Sequence, residues 1–419
     1  MPVELSERDH ALLDGAAGDA SALAMRIVVE MAQVMGADRL IDVVSAHVDG
    51  CLYHGLAGLE FAERLATGGA RVHVPTTLNV GYLDLLHPDR SRAEPRVAAN
   101  ARRQMDLYVG MGCRPTWTCA PYQLPERPRF GQHVAWAESN AIVFCNSVLG
   151  GRTNRYGDFL DICAAISGRV PLAGLHRDEE RRARLVLRLD GVPDRLLGSD
   201  VLYPVLGHLL GREAGSAVAA IVGLPPGTEE DRLKALGAAA ASSGAVAMFH
   251  AVGLTPEAPT LEGATGGEAV PEMPVTLARL REARDALSTA ADRELGAVSV
   301  GTPHASLPEL ERLASLLGGA RARVPTFVNT GRDVLAEAER RGIVRALEDA
   351  AVTIVTDTCT YLSPIIGEVS GAVMTDSGKW AWYAPATLGV EVVFGALEDC
   401  VRSALAGRVE RDEGVWADA

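Results

Sequence analysis

Apolar residues recur at helical spacing through "AGDASALAMRIVVEMAQVMGA", so residues 5–37 read as helices. "RLIDVVSAHVDG" then reads as a strand running into polar residues, ending at His47, Asp49 and Gly50. A second short piece, "RVHVPTTLN", ends in Thr76, Thr77 and Asn79. Ligand groups in α/β proteins often lie beyond the carboxyl ends of strands, a position both endings share. "AWAESNAIVFCNSVLGGRTNRYGDFLDICAAISG" alternates strand-like apolar runs with densely polar ones, and its last part, "DFLDICAAISG", reads as a buried helix. From residue 217 the pattern becomes regular. "AVAAIVGLPPG", "AVAMFHAVGL", "GAVSVGTPH", "ARVPTFVNT" and "AVTIVTDTC" read as strands separated by helical segments. One of these helices starts with Ser306 and Glu309 in the spacing of a capping box. Such alternation predicts βαβ units and a largely parallel sheet. Residues 255–275 lack periodicity and read as a linker or excursion. The expected class is α/β and multidomain, with mixed or mostly parallel sheets flanked by helices. The regions expected are 1–215, 216–390, and a C-terminal helix with an acidic tail over 391–419.

A length of 419 residues exceeds one ordinary core and agrees with several domains. The formal charge of −14 argues against a nucleic-acid binder, which needs a basic face to neutralise phosphates. "MPVELSERDHALLDG" lacks the basic and apolar regions of a secretory signal, and the longest apolar runs are far too short to span a bilayer. The expected setting is cytoplasmic, where structural disulfides are rare. No G-x-G-x-x-G follows a strand and no Walker lysine loop is present, which removes support for a nucleotide cofactor.

Seven cysteines then raise a choice between soft metal ligands and inert buried thiols. Cys113 and Cys119 share the proline-interrupted stretch "MGCRPTWTCAPYQLPERP", and Cys359 ends a predicted buried strand in "TDTCTY". Cys145, on a strand-like run, and Cys163 and Cys400, on helices, read as packing positions. "TDSGKWAWYAP" gathers Asp376, Ser377, Lys379 and Trp380; Lys379 is either a surface charge with its stem on a ring or the partner of a substrate carboxylate. "GGRTNRYGD" sets Arg152 and Arg155 about Asn154, as a capping turn or an anion clamp. "AWAESNA" buries Glu138 beside Ser139 and Asn140, and a buried glutamate must find partners or shift its pKa.

"TCAPYQ", "AWAESNAIVFCNSVLGGRTNRYGDFLDICAAISGR", "GTPHAS", "TDTC" and "TDSGKWAWY" together resemble the large, catalytic portion of the aconitase X family over almost the whole chain. The resemblance implies an aconitase-like architecture and a hydro-lyase with an iron–sulfur centre, expected as 2Fe–2S with other forms open. It points to the bacterial branch, which dehydrates cis-3-hydroxy-L-proline, with mevalonate 5-phosphate or another hydroxy acid as the alternative. A non-catalytic iron–sulfur sensor or scaffold is the reading outside enzymology. Cys119 and Cys359 match the family's cluster ligands, and Cys113 and then Cys51 are the next contributors. Thr302 in "GTPH" stands where the archaeal pattern has a cysteine. Ser377 or Glu138 is expected to move the proton, and Lys379 and Arg155 to bind the carboxylate. His47, Asn79, Ser139 and His176 are expected as pocket groups. A small swivelling-domain subunit is the implied partner.

Overall fold

The computed structural model describes residues 3–290 and 294–418. The chain forms two compact units, Met1–Leu83 with Ala93–Arg182, and Asp84–Arg92 with Ala183–Ala419.

The strands of the first unit are β1 (Leu40–Asp42), β2 (Ala46–Val48), β3 (Thr76–Leu78), β4 (Ala135–Trp136) and β5 (Arg169–Pro171). β1 and β5 form an antiparallel pair, while β2 lies between β3 and β4 in a parallel sheet. The single strand expected over "RLIDVVSAHVDG" is therefore two strands in two sheets. The run "NAIVFCNSVL" is helical, against the strand-like reading: Ser139–Phe144 is an α-helix that widens into a π turn at Cys145–Leu149. Glu138 caps it by accepting from the Ala141 N–H at 2.8 Å, and that cap overrides the strand preference of Ile142 and Val143. Cys145 packs with Trp136, Phe144 and Tyr122, so its packing role holds on a helix. Cys163 is buried in the helix Leu160–Ser167.

In the second unit β6 (Leu185–Arg188), β7 (Ala219–Val222), β8 (Phe249–Ala251) and β9 (Glu272–Pro274) form a parallel sheet in the order β8-β7-β6-β9. Pairing of β6 with β7 ties residues 185–188 to the strand at 219–222. Residues 255–275 are ordered, contrary to the excursion expected there. Thr260 caps the helix Leu261–Thr265, and β9 pairs with β6. The period was hidden because both elements are too short to repeat it.

A five-stranded parallel sheet follows, built from β10 (Leu295–Ala305), β11 (Thr326–Thr330), β12 (Val352–Val355), β13 (Ala372–Thr375) and β14 (Val392–Phe394), in the order β12-β11-β10-β13-β14. The capping box of Ser306 and Glu309 is present, with reciprocal bonds of 3.3 and 2.8 Å. Cys400 lies on the helix Leu397–Ala406 and joins the core under this sheet. The chain leaves β10 toward β11 on one side and returns as β13 on the other. A crevice opens at such a reversal, beyond the carboxyl ends of the strands. β2, flanked by β3 and β4, repeats the arrangement on a smaller scale.

Candidate functional site

At the carboxyl ends of β10–β13 lie Thr302 and His304, Asn329, Thr356–Thr360, and Ser377–Lys379, most of them fully buried. Gly301 makes the approach possible: its φ is +77°, and a Cβ there would meet the Asn329 backbone oxygen at 2.6 Å. Asn329 Nδ2 shares its two hydrogens among three acceptors, the Val300 carbonyl at 3.0 Å and the hydroxyls of Thr302 and Thr360, both at 3.2 Å. His304 Nε2 lies 3.1 Å from the Thr358 carbonyl. A carbonyl only accepts, so Nε2 carries the hydrogen and Nδ1 the lone pair. Burial depresses the His304 pKa to about 4, and the imidazole is neutral. One of its ring nitrogens and Cys359 Sγ lie within 4.8 Å of each other. A thiol and a neutral imidazole form a metal-ligating pair. Reading the motif for Thr302 alone passes over His304; the strand-end position of "GTPH" is the signal that finds it.

Arg332 grips Asp357 through two bonds of 2.6 and 2.7 Å, and the Leu85 amide donates to the same carboxylate. Asp84 accepts from the amide and hydroxyl of Thr356. These bonds fix the turn that presents Cys359. Ser377 caps the helix Gly378–Leu388, its Oγ accepting from the Trp380 N–H at 3.0 Å. Lys379 lies in the first turn, 3% exposed, and its charge is one of those that lower the His304 pKa. The surface-charge reading of Lys379 is thereby excluded. Asp376 faces the other way, into a cavity of about 160 Å³ with Glu309 and Arg312. Burial, then the Glu309 charge, raises its pKa to about 7.

In the first unit, His47 bonds Thr77 Oγ1 at 2.8 Å through Nδ1, and burial lowers its pKa to about 3. Asn79 donates to Asp49. The Glu138 carboxylate takes the Ala141 amide, the Asn140 side chain and, at 3.2 Å, the Ser139 hydroxyl. Asn140 in turn donates to the Cys119 carbonyl at 2.9 Å, so this glutamate anchors the backbone of the cysteine. His176 is held between His133, at 2.9 Å, and the Tyr156 hydroxyl; burial first, then neighbouring cations, lowers its pKa to about 3. Arg155 is exposed.

Cys51 and Cys113 are the other two cysteines expected as ligands. Among the described residues neither is gathered with two other Cys, His, Asp or Glu donors within ligating reach. Cys51 Sγ approaches the carbonyls of Val48 and Asn79 at 3.5 and 3.4 Å, the contacts of a protonated thiol. Burial, with the charge of Asp161, pushes both thiols up. The sequence gives no hint of Asp161, which is buried and bonds the amides of Asp49 and Gly50 at 2.7 and 3.0 Å.

Family models described as the aconitase X first, second and third domains match residues 2–179, 183–285 and 295–406. The chain is 43% identical to a cis-3-hydroxy-L-proline dehydratase of Pseudomonas aeruginosa, over 97% of this chain and 71% of that protein. It is 42% identical to one of Hypocrea jecorina, over 97% and 69%. It is 37% identical to a phosphomevalonate dehydratase large subunit of Methanothermobacter thermautotrophicus, over 96% and 98%. The crystal structure of Thermococcus kodakaraensis aconitase X in its holo-form superposes with a TM-score of 0.86 at 34% identity, covering 96% of this chain and 100% of that one.

Proposed function

Because the chain belongs to the aconitase X family, we propose that it is a hydro-lyase converting cis-3-hydroxy-L-proline into Δ1-pyrroline-2-carboxylate. Identity of 42–43% to two dehydratases of that name, over 97% of the chain, carries this reading. Relatives named for phosphomevalonate reach 33–37%, which keeps the phosphate ester as the second substrate to test. Water leaves across C2 and C3: the C2 proton goes to a base, the C3 hydroxide departs, and the enamine tautomerises to the cyclic imine.

The donor chemistry of Cys359 and His304 fits an iron–sulfur centre, and the "TCAPYQ" motif adds Cys119 as the next ligand. When bound, such a centre with an open iron supplies Lewis-acid polarisation of the leaving hydroxyl. We assign the 2Fe–2S form, since Thr302 offers a hydroxyl bonded to Asn329 where the archaeal pattern has a thiol.

Ser377 is assigned the proton transfer. Its Oγ sits at a helix N-terminus, where the macrodipole favours the negative charge a serine base must carry. Lys379, in the same first turn, is assigned the substrate carboxylate, with Arg155 as an outer cation. Glu138 is assigned to hold Asn140 and the Cys119 backbone, since its oxygens already accept three bonds. His47, Asn79, Ser139 and His176 are assigned to the pocket wall. A small swivelling subunit is the proposed partner, because relatives of the phosphomevalonate branch are named large subunits. The seven free cysteines suit a reducing cytoplasm.

Anaerobic purification, iron and labile-sulfide quantification and assay of both substrates test the reading. Turnover of cis-3-hydroxy-L-proline by an iron-containing preparation is the expected result. A fully active chain without iron or labile sulfide removes the centre, and turnover of the phosphate ester alone reverses the substrate. Full turnover with no second polypeptide present removes the partner.

A further inference from the structure

Thr360 follows Cys359, Trp380 follows Lys379, and the two side chains meet. Trp380 Nε1 donates to Thr360 Oγ1 at 3.0 Å, and Asn329 Nδ2 donates to the same oxygen at 3.2 Å. The Thr360 amide returns a bond to Asn329 Oδ1 at 3.0 Å, and Ser299 Oγ lies 2.7 Å from the Thr360 hydroxyl. Thr360, Asn329, Ser299 and Trp380 are each 0% exposed, so the hydroxyl is shut off from bulk solvent.

The directions of these bonds follow from what each group can do. An indole N–H and an amide NH₂ only donate, so the two together use both lone pairs of Thr360 Oγ1. Its own proton must then go to Ser299. The amide of Asn329 has one orientation too, because Thr360 N can only donate to it and the Val300 carbonyl can only accept from it. One hydroxyl thus joins β10 through Ser299, β11 through Asn329, the turn after β12 and the helix after β13.

We propose that Thr360 is a positioning residue for the dehydration. It locks the Cys359 turn against the helix that carries Ser377 and Lys379, so that the thiol and the proton- and carboxylate-handling groups share one register. This rests on the reading of Cys359 as a ligand of the centre. Groups bonded one shell behind a metal ligand typically change affinity or activity by 10–100-fold when removed.

Thr360→Val keeps the shape and removes the hydroxyl, and Thr360→Ser keeps the hydroxyl. Both are made in the full chain, purified anaerobically, and compared for iron and sulfide content, the electron paramagnetic resonance and visible spectra, melting temperature, KM and kcat. In the valine variant we expect a cooperative melt, an altered spectrum or iron content, and kcat lower by about 10–100-fold with KM little changed. The serine variant is expected to restore the spectrum and most of kcat. A valine variant with the wild-type spectrum and kcat overturns the proposal, as does a serine variant equally impaired. Should the valine variant fail to fold, Ser299→Ala removes the acceptor of the Thr360 proton while leaving both donors; an unchanged spectrum and kcat there also overturns it. A wild-type chain without iron overturns the ligand reading as well, whereas a loaded wild type with unaltered variants overturns only the role of Thr360.

Discussion

In the first unit, the residues that follow β2 hang from the buried Asp161, and the polar turns around 146–151 and 175 close on the buried Arg181. That guanidinium donates to Asn146 Oδ1, the Leu175 carbonyl, the Asn146 carbonyl and the Gly151 carbonyl, at 2.8–3.1 Å. In the second unit, the strand ends around Thr360 are joined by a hydroxyl, an amide and an indole. The strand lengths explain the contrast. β2, β3 and β4 have two or three residues each and few ladder bonds, so the buried side chains of Asp161 and Arg181 organise the loops. β10 runs for 11 residues and β11 for five, and their ladders bring the loops close enough for neutral groups to join at Thr360, beside the Arg332–Asp357 pair and Asp84 that hold the turn before it. Charge-assisted bonds hold sparse backbone strongly but leave it exposed to titration. Neutral bonds are weaker and indifferent to pH.

Removing the assigned ligand should have the largest effect. Cys359→Ser is expected to lose most of the iron and lower kcat by about 100-fold or more, while the melting temperature stays near wild type. Iron analysis beside a thermal melt checks this, and a fully loaded, active variant would separate Cys359 from the centre.

Arg181→Ala should strike the first unit through stability. It removes a buried cation, strands three backbone carbonyls and takes a donor from the Asn146 amide oxygen, a loss of about 1–3 kcal/mol for each acceptor left unpaired. Denaturant titration followed with domain-specific fluorescence measures it; a loss under about 1 kcal/mol would mean that ions do not organise this unit.

The pH response should also separate the frameworks. His47 and His176 are neutral in the fold with pKa values of about 3, below the ordinary value of 6.5. The unfolded chain therefore takes up these protons first as pH falls. Their contribution is complete above 6.5 and is lost between 6.5 and about 3, by up to about 1.4 kcal/mol per pH unit for each histidine. His176→Gln should flatten the stability curve in that window by about one histidine's share. An unchanged slope would show that His176 is already protonated in the fold.

Thr302→Cys should have the smallest effect on stability. It weakens the acceptor of one Asn329 bond, about 1 kcal/mol by unfolding measurements. A large loss would show that the neutral frame depends on every member.

Much of the second unit was legible because its strands and helices are long enough to show their period. The capping box and the parallel alternation lie in such segments, and Cys359 and the Ser377–Lys379 motif follow the ends of their strands. The first unit was harder to read. A strand of two or three residues carries no period, so β1 and β2 merged into one and the helix carrying Cys145 looked like a strand. Burial of Glu138 was evident, but its use as a helix cap was not, because a cap depends on where the chain turns. Sequence by itself determined the alternating α/β chemistry, the acidic character and the residues that carry the family motifs. Tertiary structure alone decided that His304 stands beside Cys359, that Cys51 faces carbonyls, and that Thr360 meets Trp380. Those contacts join residues far apart in the chain, and only the return of parallel strands to one sheet edge sets the distances between them.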